Sequence, residues 1–189
     1  SIEWPSFRST QGRIRWLTVE EEEKLSRHLG IVDYKLLMQF MIDTGCRPSE
    51  VVPTEAIVTK PFEWSDVSKS HDGRTLITLW KTKTNTPRTI PLTPRALDAL
   101  EWSRDEGHSR PFASIIYSNF KDTVCETATA LGFQDIVVYT FRHTCASRLV
   151  QRGADIMRVK TWMGHSNIET TLNYAHLAPH DIYSLSDLL

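Results

Sequence analysis

The feature that most limits how this chain can fold is a change in the period of its apolar residues. Between Phe62 and Leu92 they alternate with a period of two, while on both sides they recur every three or four residues. Phe62-Glu-Trp64-Ser-Asp-Val67, Thr75-Leu-Ile-Thr-Leu-Trp80 and Arg88-Thr-Ile-Pro-Leu92 read as three short strands. Asp72-Gly73 supplies a tight-turn signal between the first two, and Lys81-Thr-Lys83-Thr-Asn-Thr-Pro87 supplies the second hairpin turn, with its lysines projecting. Pro91 lacks a ladder donor and suits an edge strand. Two hairpins in succession make the sheet antiparallel. The expected class is α+β: mainly α-helical, with a small three-stranded antiparallel sheet.

The helical parts carry their own punctuation. Thr18 with Glu21 three residues on is a capping box, and the acids that follow suit a helix start. Residues 33–44 are apolar on most faces and read as a central buried helix that Gly45 stops. Pro48 is placed to be the first residue of a new helix, with Arg47 at its cap and Glu50 within reach of the guanidinium. Thr93-Pro94 starts a helix through Ala96, Leu97 and Leu100, and another runs from Phe120 to Leu131. The C-terminal part reads as three helices: Arg142 to Gln151, Asp155 to Met163, and Asn167 to His176. In the last, Ile168, Thr171, Leu172 and Ala175 form the expected buried stripe, with Tyr174 at its edge facing a surface cleft.

Length and composition fit one soluble domain. The 189 residues are 40% apolar and 24% charged. No apolar run approaches the roughly 20 residues that cross a bilayer, so no membrane partner is expected. Cys46, Cys125 and Cys145 are odd in number and sit in apolar patterns, as buried thiols in a reducing compartment do. The formal charge of −1 conceals an uneven distribution. Lys81, Lys83, Arg88 and Arg95 share a segment with no acid, while Glu20 to Glu23 collect the negative charge elsewhere.

Arg47 at one helix cap, the hairpin lysines, Arg142, His165 after Gly164, and Tyr174 together suggest a phosphate pocket. A guanidinium offers a planar fork of donors to phosphate oxygens, and a phenolic oxygen can attack phosphorus. His143, His165, His176 and His180 show no metal-ligand spacing, so no metal or other cofactor is expected.

Taken together, these segments resemble the catalytic domain of a tyrosine recombinase, the phage integrase family. The first motif, Thr-Gly-x-Arg-x-x-Glu, stands as Thr44-Gly45-Cys46-Arg47-Pro48-Ser49-Glu50. Lys83 matches the hairpin lysine ahead of Arg88-Thr-Ile-Pro91-Leu92, with Lys81 as the alternative. The second box, His-x-x-Arg-His-Thr, stands as Tyr139-Thr-Phe-Arg142-His143-Thr144. Met163-Gly164-His165 stands for Leu-Gly-His, and Thr171-Leu-Asn-Tyr174-Ala-His176 for the nucleophile motif. The resemblance assigns an N-terminal arm or linker stub to residues 1–16, the catalytic domain to 17–177 and a C-terminal tail to 178–189. It departs from the family at Tyr139, where histidine is usual, and in a longer segment from Val51 to Pro61. The start at Ser1, and the lack of the clamping domain that usually precedes this one, read as a fragment.

The resemblance implies a site-specific recombinase or integrase of a phage or other mobile element, working without cofactor in the cytoplasm of a bacterial host. Tyr174 would attack the scissile phosphate of a double-stranded recombination site and form a 3′-phosphotyrosyl link. Arg47, Arg142 and His165 would hold the phosphate oxygens, Lys83 would protonate the leaving 5′-oxygen, and Tyr139 would donate a hydrogen bond to phosphate. Glu50 and His143 would support the site from beneath. The implied partners are DNA, three further copies in a tetramer on that DNA, and accessory DNA-bending proteins, with the chain a monomer on its own. The alternatives are strand relaxation of the type IB topoisomerase kind and a non-catalytic DNA-binding module.

Overall fold

In the computed structural model the described residues are 14–54, 60–80 and 87–179. Their architecture is the α+β one expected from the periodicity. The element order is α1 Val19–His28, α2 Val32–Thr44, α3 Pro48–Val51, β1 Val67–Lys69, β2 Thr75–Leu79, β3 Arg88–Pro91, α4 Pro94–Asp105, α5 Tyr117–Ala130, α6 Tyr139–Gln151, α7 Ile156–Met163 and α8 Ile168–Leu172. Thr18 caps α1 with the reciprocal Glu21 bond, and Thr93 caps α4 ahead of Pro94.

Helix α2 is the centre of the molecule, packed between α4 and α6. Leu37, Met38, Phe40, Met41 and Ile42 are buried on it. Phe40 stacks on Phe62 at 5.8 Å between centroids and tilts against Phe112 at 5.0 Å. A second, smaller apolar cluster joins α6 to α7 and the C-terminal turn through Cys145, Ala146, Val150, Val159, Met163 and Tyr174. Ile14 packs against it, and Arg15 forms an ion pair with Glu21, which ties residues 14–16 onto the body. Cys46 and Cys145 are buried free thiols, each pushed up to about 12 by burial, and Cys125 is half-buried. No helix among the described residues is long and apolar enough to cross a membrane.

The sheet runs β1-β2-β3, antiparallel throughout, with Val67 opposite Ile77 and Ile77 opposite Ile90. Pro91 falls on the edge strand β3. The first strand is shorter than its alternation suggests. Trp64–Asp66 is a 3-10 turn, and the ladder begins only at Val67. Two local bonds hold that turn: the Glu63 amide donates to the Asp66 carboxylate at 2.9 Å, and the Trp64 indole to the His108 carbonyl at 2.8 Å. Of the segment from Val51 to Pro61, residues 55–59 lie outside the described residues, and just after it the Phe62 amide donates to the Glu50 carbonyl at 2.9 Å.

The C-terminal helix also differs. It ends at Leu172, and a 3-10 turn over Ala175–Leu177 follows. Thr171 is buried as expected, but Leu172 is 49% exposed and Tyr174 only 4%. The turn swings the Tyr174 ring onto α6, against Cys145, Ala146 and Val150. Burying an aromatic ring outweighs one more turn of helix at a helix end.

Candidate functional site

The site is assembled around one buried side chain. Arg142 lies in the first turns of α6 and is 1% exposed. Its Nη1 donates to the Gly45 carbonyl and its Nη2 to the Met163 carbonyl, the latter at 2.5 Å. One guanidinium therefore joins the end of α2, which leads into Arg47, to the end of α7, which leads into Gly164 and His165. A planar fork puts a separate nitrogen on each carbonyl, where a lysine has a single nitrogen for both. Burial, followed by the positive charge of Arg47, lowers the Arg142 pKa from its ordinary value.

Both junctions require glycine. Gly45 has φ +65°, and a Cβ there would meet the Met163 sulfur at 2.7 Å. Gly164 has φ +63°, and a Cβ there would meet the Arg88 side chain at 2.8 Å. The helix stops in the two motifs are thus also the places where the motifs touch their neighbours.

Arg47 caps α3, and its Nη1 donates to Glu50 Oε1 at 3.1 Å while its own amide donates to Oε2 at 2.7 Å. Glu50 has a stronger partner that the sequence reading did not assign. Arg88 on β3 grips it with two bonds of 2.7 Å, and both side chains are less than a tenth exposed. Arg88 sits two residues from the buried Ile90 and opposite the buried Leu79, hence on the inner face of the sheet. That register was the available signal, since an inward arginine needs a carboxylate. Burial pushes the Glu50 carboxyl up, but the bonds and charges of Arg88 and Arg47 hold it below its ordinary value of 4.5.

That shift has a sign. A depressed carboxylate contributes stability above pH 4.5, and the contribution is lost as pH falls through its folded-state pKa. Glu50→Gln leaves buried guanidiniums without their counter-charge and should lower unfolding free energy at neutral pH by about 3–5 kcal/mol. Urea titrations across the acid range check this: the parent should lose stability there, and the variant should lose much less.

At the other end of the site His165 is buried, and its Nδ1 lies 2.8 Å from Thr171 Oγ1. Thr171 thereby fixes the imidazole, a role beyond the packing position expected for it. Thr144 serves as a tie rather than a site residue, because its hydroxyl accepts from the Leu17 amide at 2.9 Å. His143, expected beneath the site, is bonded to the phenol itself: its Nδ1 lies 2.6 Å from the Tyr174 oxygen. Tyr174 thus lies under α6 and not at the rim of a surface cleft. Its phenolic oxygen meets the imidazole next to the charge of Arg142, and burial pushes its pKa up to about 12. Burial, then Arg142, lowers the His143 pKa from 6.5. Tyr139 is 43% exposed, with its ring against the His143 ring at 5.1 Å in an edge-to-face arrangement. Lys81 and Lys83 lie outside the described residues.

Charge at the site is unbalanced. Arg47 and Arg88 both act on Arg142, and among the described residues the Glu50 carboxylate acts on Arg88 and Arg142. Arg47 keeps 28% of its side chain exposed and carries that positive excess to the surface. An anion is the natural complement.

The phage integrase family model matches residues 15–180. The integrase of Haemophilus phage HP1 is 29% identical over 152 residues, which cover 80% of this chain and 40% of that protein. A tyrosine recombinase XerD of Lacticaseibacillus casei is 27% identical over 171 residues, covering 81% of this chain and 53% of that one. The chain thus spans about half the length of the relatives it matches. Among solved structures, the catalytic domain of bacteriophage HP1 integrase superposes with a TM-score of 0.69 at 26% identity, covering 92% of this chain and 94% of that one. A XerH site-specific recombinase bound to its palindromic difH substrate has the same fold, with a TM-score of 0.68 at 19% identity, covering 94% of this chain and 53% of that one.

Proposed function

Because the chain belongs to the phage integrase family, we propose that it is the catalytic portion of a site-specific tyrosine recombinase that cuts and rejoins double-stranded DNA. The observation that carries the reading is the bridging by Arg142. It links the Arg47 motif to the His165 motif, while the next residue along α6 holds the phenol of Tyr174.

In the proposed reaction Tyr174 attacks the scissile phosphate, forms a 3′-phosphotyrosyl link and releases a 5′-hydroxyl. Attack by another 5′-hydroxyl reverses the step, and the stored ester bond makes an external energy source unnecessary. Arg47, the more exposed of the two arginines, meets the phosphate oxygens directly. Arg142 supplies charge from beneath, and each of its terminal nitrogens has a second hydrogen beyond the one given to a carbonyl. His165, fixed by Thr171, adds a donor. Tyr139 reaches the same corner from the exposed side of α6 and donates to phosphate. The chain works on DNA as a tetramer in the cytoplasm of a bacterial host, with the tail beyond Pro179 docking on a neighbouring copy and DNA-bending proteins assisting assembly.

Lys83 is assigned the general-acid role, which is worth on the order of 10²-fold or more in rate. Lys83→Ala should slow cleavage about 10²-fold, and a 5′-bridging sulfur, which leaves without a proton, should restore it. Rescue of Lys81→Ala instead would move the role to the other lysine.

The reading is tested with a pool of nicked duplexes carrying a randomised central segment. Incubation with the chain should yield complexes that survive detergent, enriched for one sequence. Total absence of such complexes contradicts the reading. Relaxation of a supercoiled plasmid carrying two copies of the recovered site, with no exchange between them, would favour topoisomerase chemistry.

A further inference from the structure

We infer that His143 is the proton acceptor for Tyr174, a catalytic base at a position that the general reading treats only as support. The inference rests on the strand-transfer reading above and deepens it. It starts from the 2.6 Å contact between His143 Nδ1 and the phenolic oxygen. In the tautomer with its proton on Nε2 the imidazole accepts from the phenol across this contact, and a general base needs that geometry.

Three observations support the assignment. First, the other side chain at this corner is the phenol of Tyr139, and a neutral phenol is a poor proton acceptor at neutral pH. Second, the Tyr139 ring stands edge-on to the imidazole at 5.1 Å and the Tyr174 ring lies 6.0 Å away, so His143 is held between two aromatics on fixed elements. Third, the charged neighbour acting on it is Arg142, with Arg47, Arg88 and Glu50 one layer further out around that guanidinium. Burial and Arg142 keep the imidazole neutral, and therefore able to accept.

The step balances. The phenolic O–H bond breaks as the O–P bond forms, and the proton passes to Nδ1. The bond from phosphorus to the 5′-oxygen breaks, and that oxygen takes a proton from the hairpin lysine. In the return step the now neutral hairpin lysine takes the proton of the incoming 5′-hydroxyl, that oxygen displaces the phenolate from phosphorus, and the imidazolium gives its proton back to the phenolate. A phenol pushed up to about 12 beside an imidazole held below 6.5 keeps its proton in the resting protein. Transfer becomes favourable only while phosphorus draws charge from the oxygen. The transient imidazolium beside Arg142 is offset by the negative charge on the five-coordinate phosphorus.

The test is the pH dependence of covalent-complex formation on the recovered nicked duplex, for the parent and His143→Asn. Asparagine can still accept a hydrogen bond from the phenol but does not titrate. The parent rate should fall as pH drops below 6.5. His143→Asn should be slower by about 10²-fold near neutrality and should lack that acid limb. His165 is present in both proteins, so the difference isolates His143. A folded His143→Ala should regain part of its rate from added imidazole, in proportion to the free base. Parental rate in His143→Asn, the same acid limb in both proteins, or a folded His143→Ala indifferent to imidazole each overturns the inference while leaving strand transfer standing. A parent chain that forms no adduct at any pH contradicts strand transfer itself.

Discussion

Tyr174→Phe is expected to eliminate the detergent-resistant complex with the nicked duplex while retaining binding to the same DNA. The substitution removes one oxygen from a ring that is 4% exposed and leaves the apolar contacts with Cys145, Ala146 and Val150 in place. The hydrogen bond it deletes joins the phenol to His143, and its loss should lower stability by only about 1 kcal/mol. Loss of chemistry with a near-parental melting transition is therefore the expected combination. Gel shifts and thermal melts on the same preparations check it, and adduct at the parental level in the variant would remove Tyr174 from the reaction.

Arg142→Lys should be nearly as damaging to catalysis and far more damaging to the fold. Lysine keeps a positive charge but presents one nitrogen where the arginine presents a fork. Its single nitrogen cannot stand both where Nη1 meets the Gly45 carbonyl and where Nη2 meets the Met163 carbonyl. Leaving one buried carbonyl without a partner costs about 1–3 kcal/mol, and losing an aligned donor to the transition state costs a further factor of about 10² to 10³ in rate. Because the same side chain sets the spacing of the Arg47 and His165 motifs, the combined fall in cleavage should reach about 10³-fold or more. Single-turnover cleavage and urea unfolding measure the two effects separately. Unchanged stability with lost activity would mean that the carbonyl bridge does not support the fold.

The features legible in the sequence were those set by local chemistry. Thr18 with Glu21, Gly45 before Pro48, and Thr93-Pro94 each specify a helix end within a few residues, and the structure has all of them. Arg47, between Gly45 and Pro48, and His165, after Gly164, could be picked out because each stands beside such a signal, and Arg142 and Tyr174 because of the motifs that hold them. Contacts between distant segments were not legible. The Glu50–Arg88 pair spans 38 residues, and the link from His143 to Tyr174 spans 31. Arg88 was visible as a strand residue in an acid-free basic segment, without a partner assigned to it, although its place two residues before an inward isoleucine pointed it into the core. The two misread elements have one cause. Alternation from Phe62 and helical spacing through Tyr174 both continue past the point where tertiary contacts take over. At Trp64 a turn is held by the His108 carbonyl, and at Tyr174 the ring packs on α6.

The account turns on which atom carries the covalent bond to DNA. The direct measurement is proteolysis of the detergent-resistant complex, followed by nuclease trimming and mass mapping of the nucleotide-bearing peptide. The account predicts a single modified peptide containing Tyr174, joined to the 3′-phosphate of the cleaved strand. A nucleotide on Tyr183 or any other residue, or a 5′-phosphate in the link, would contradict it.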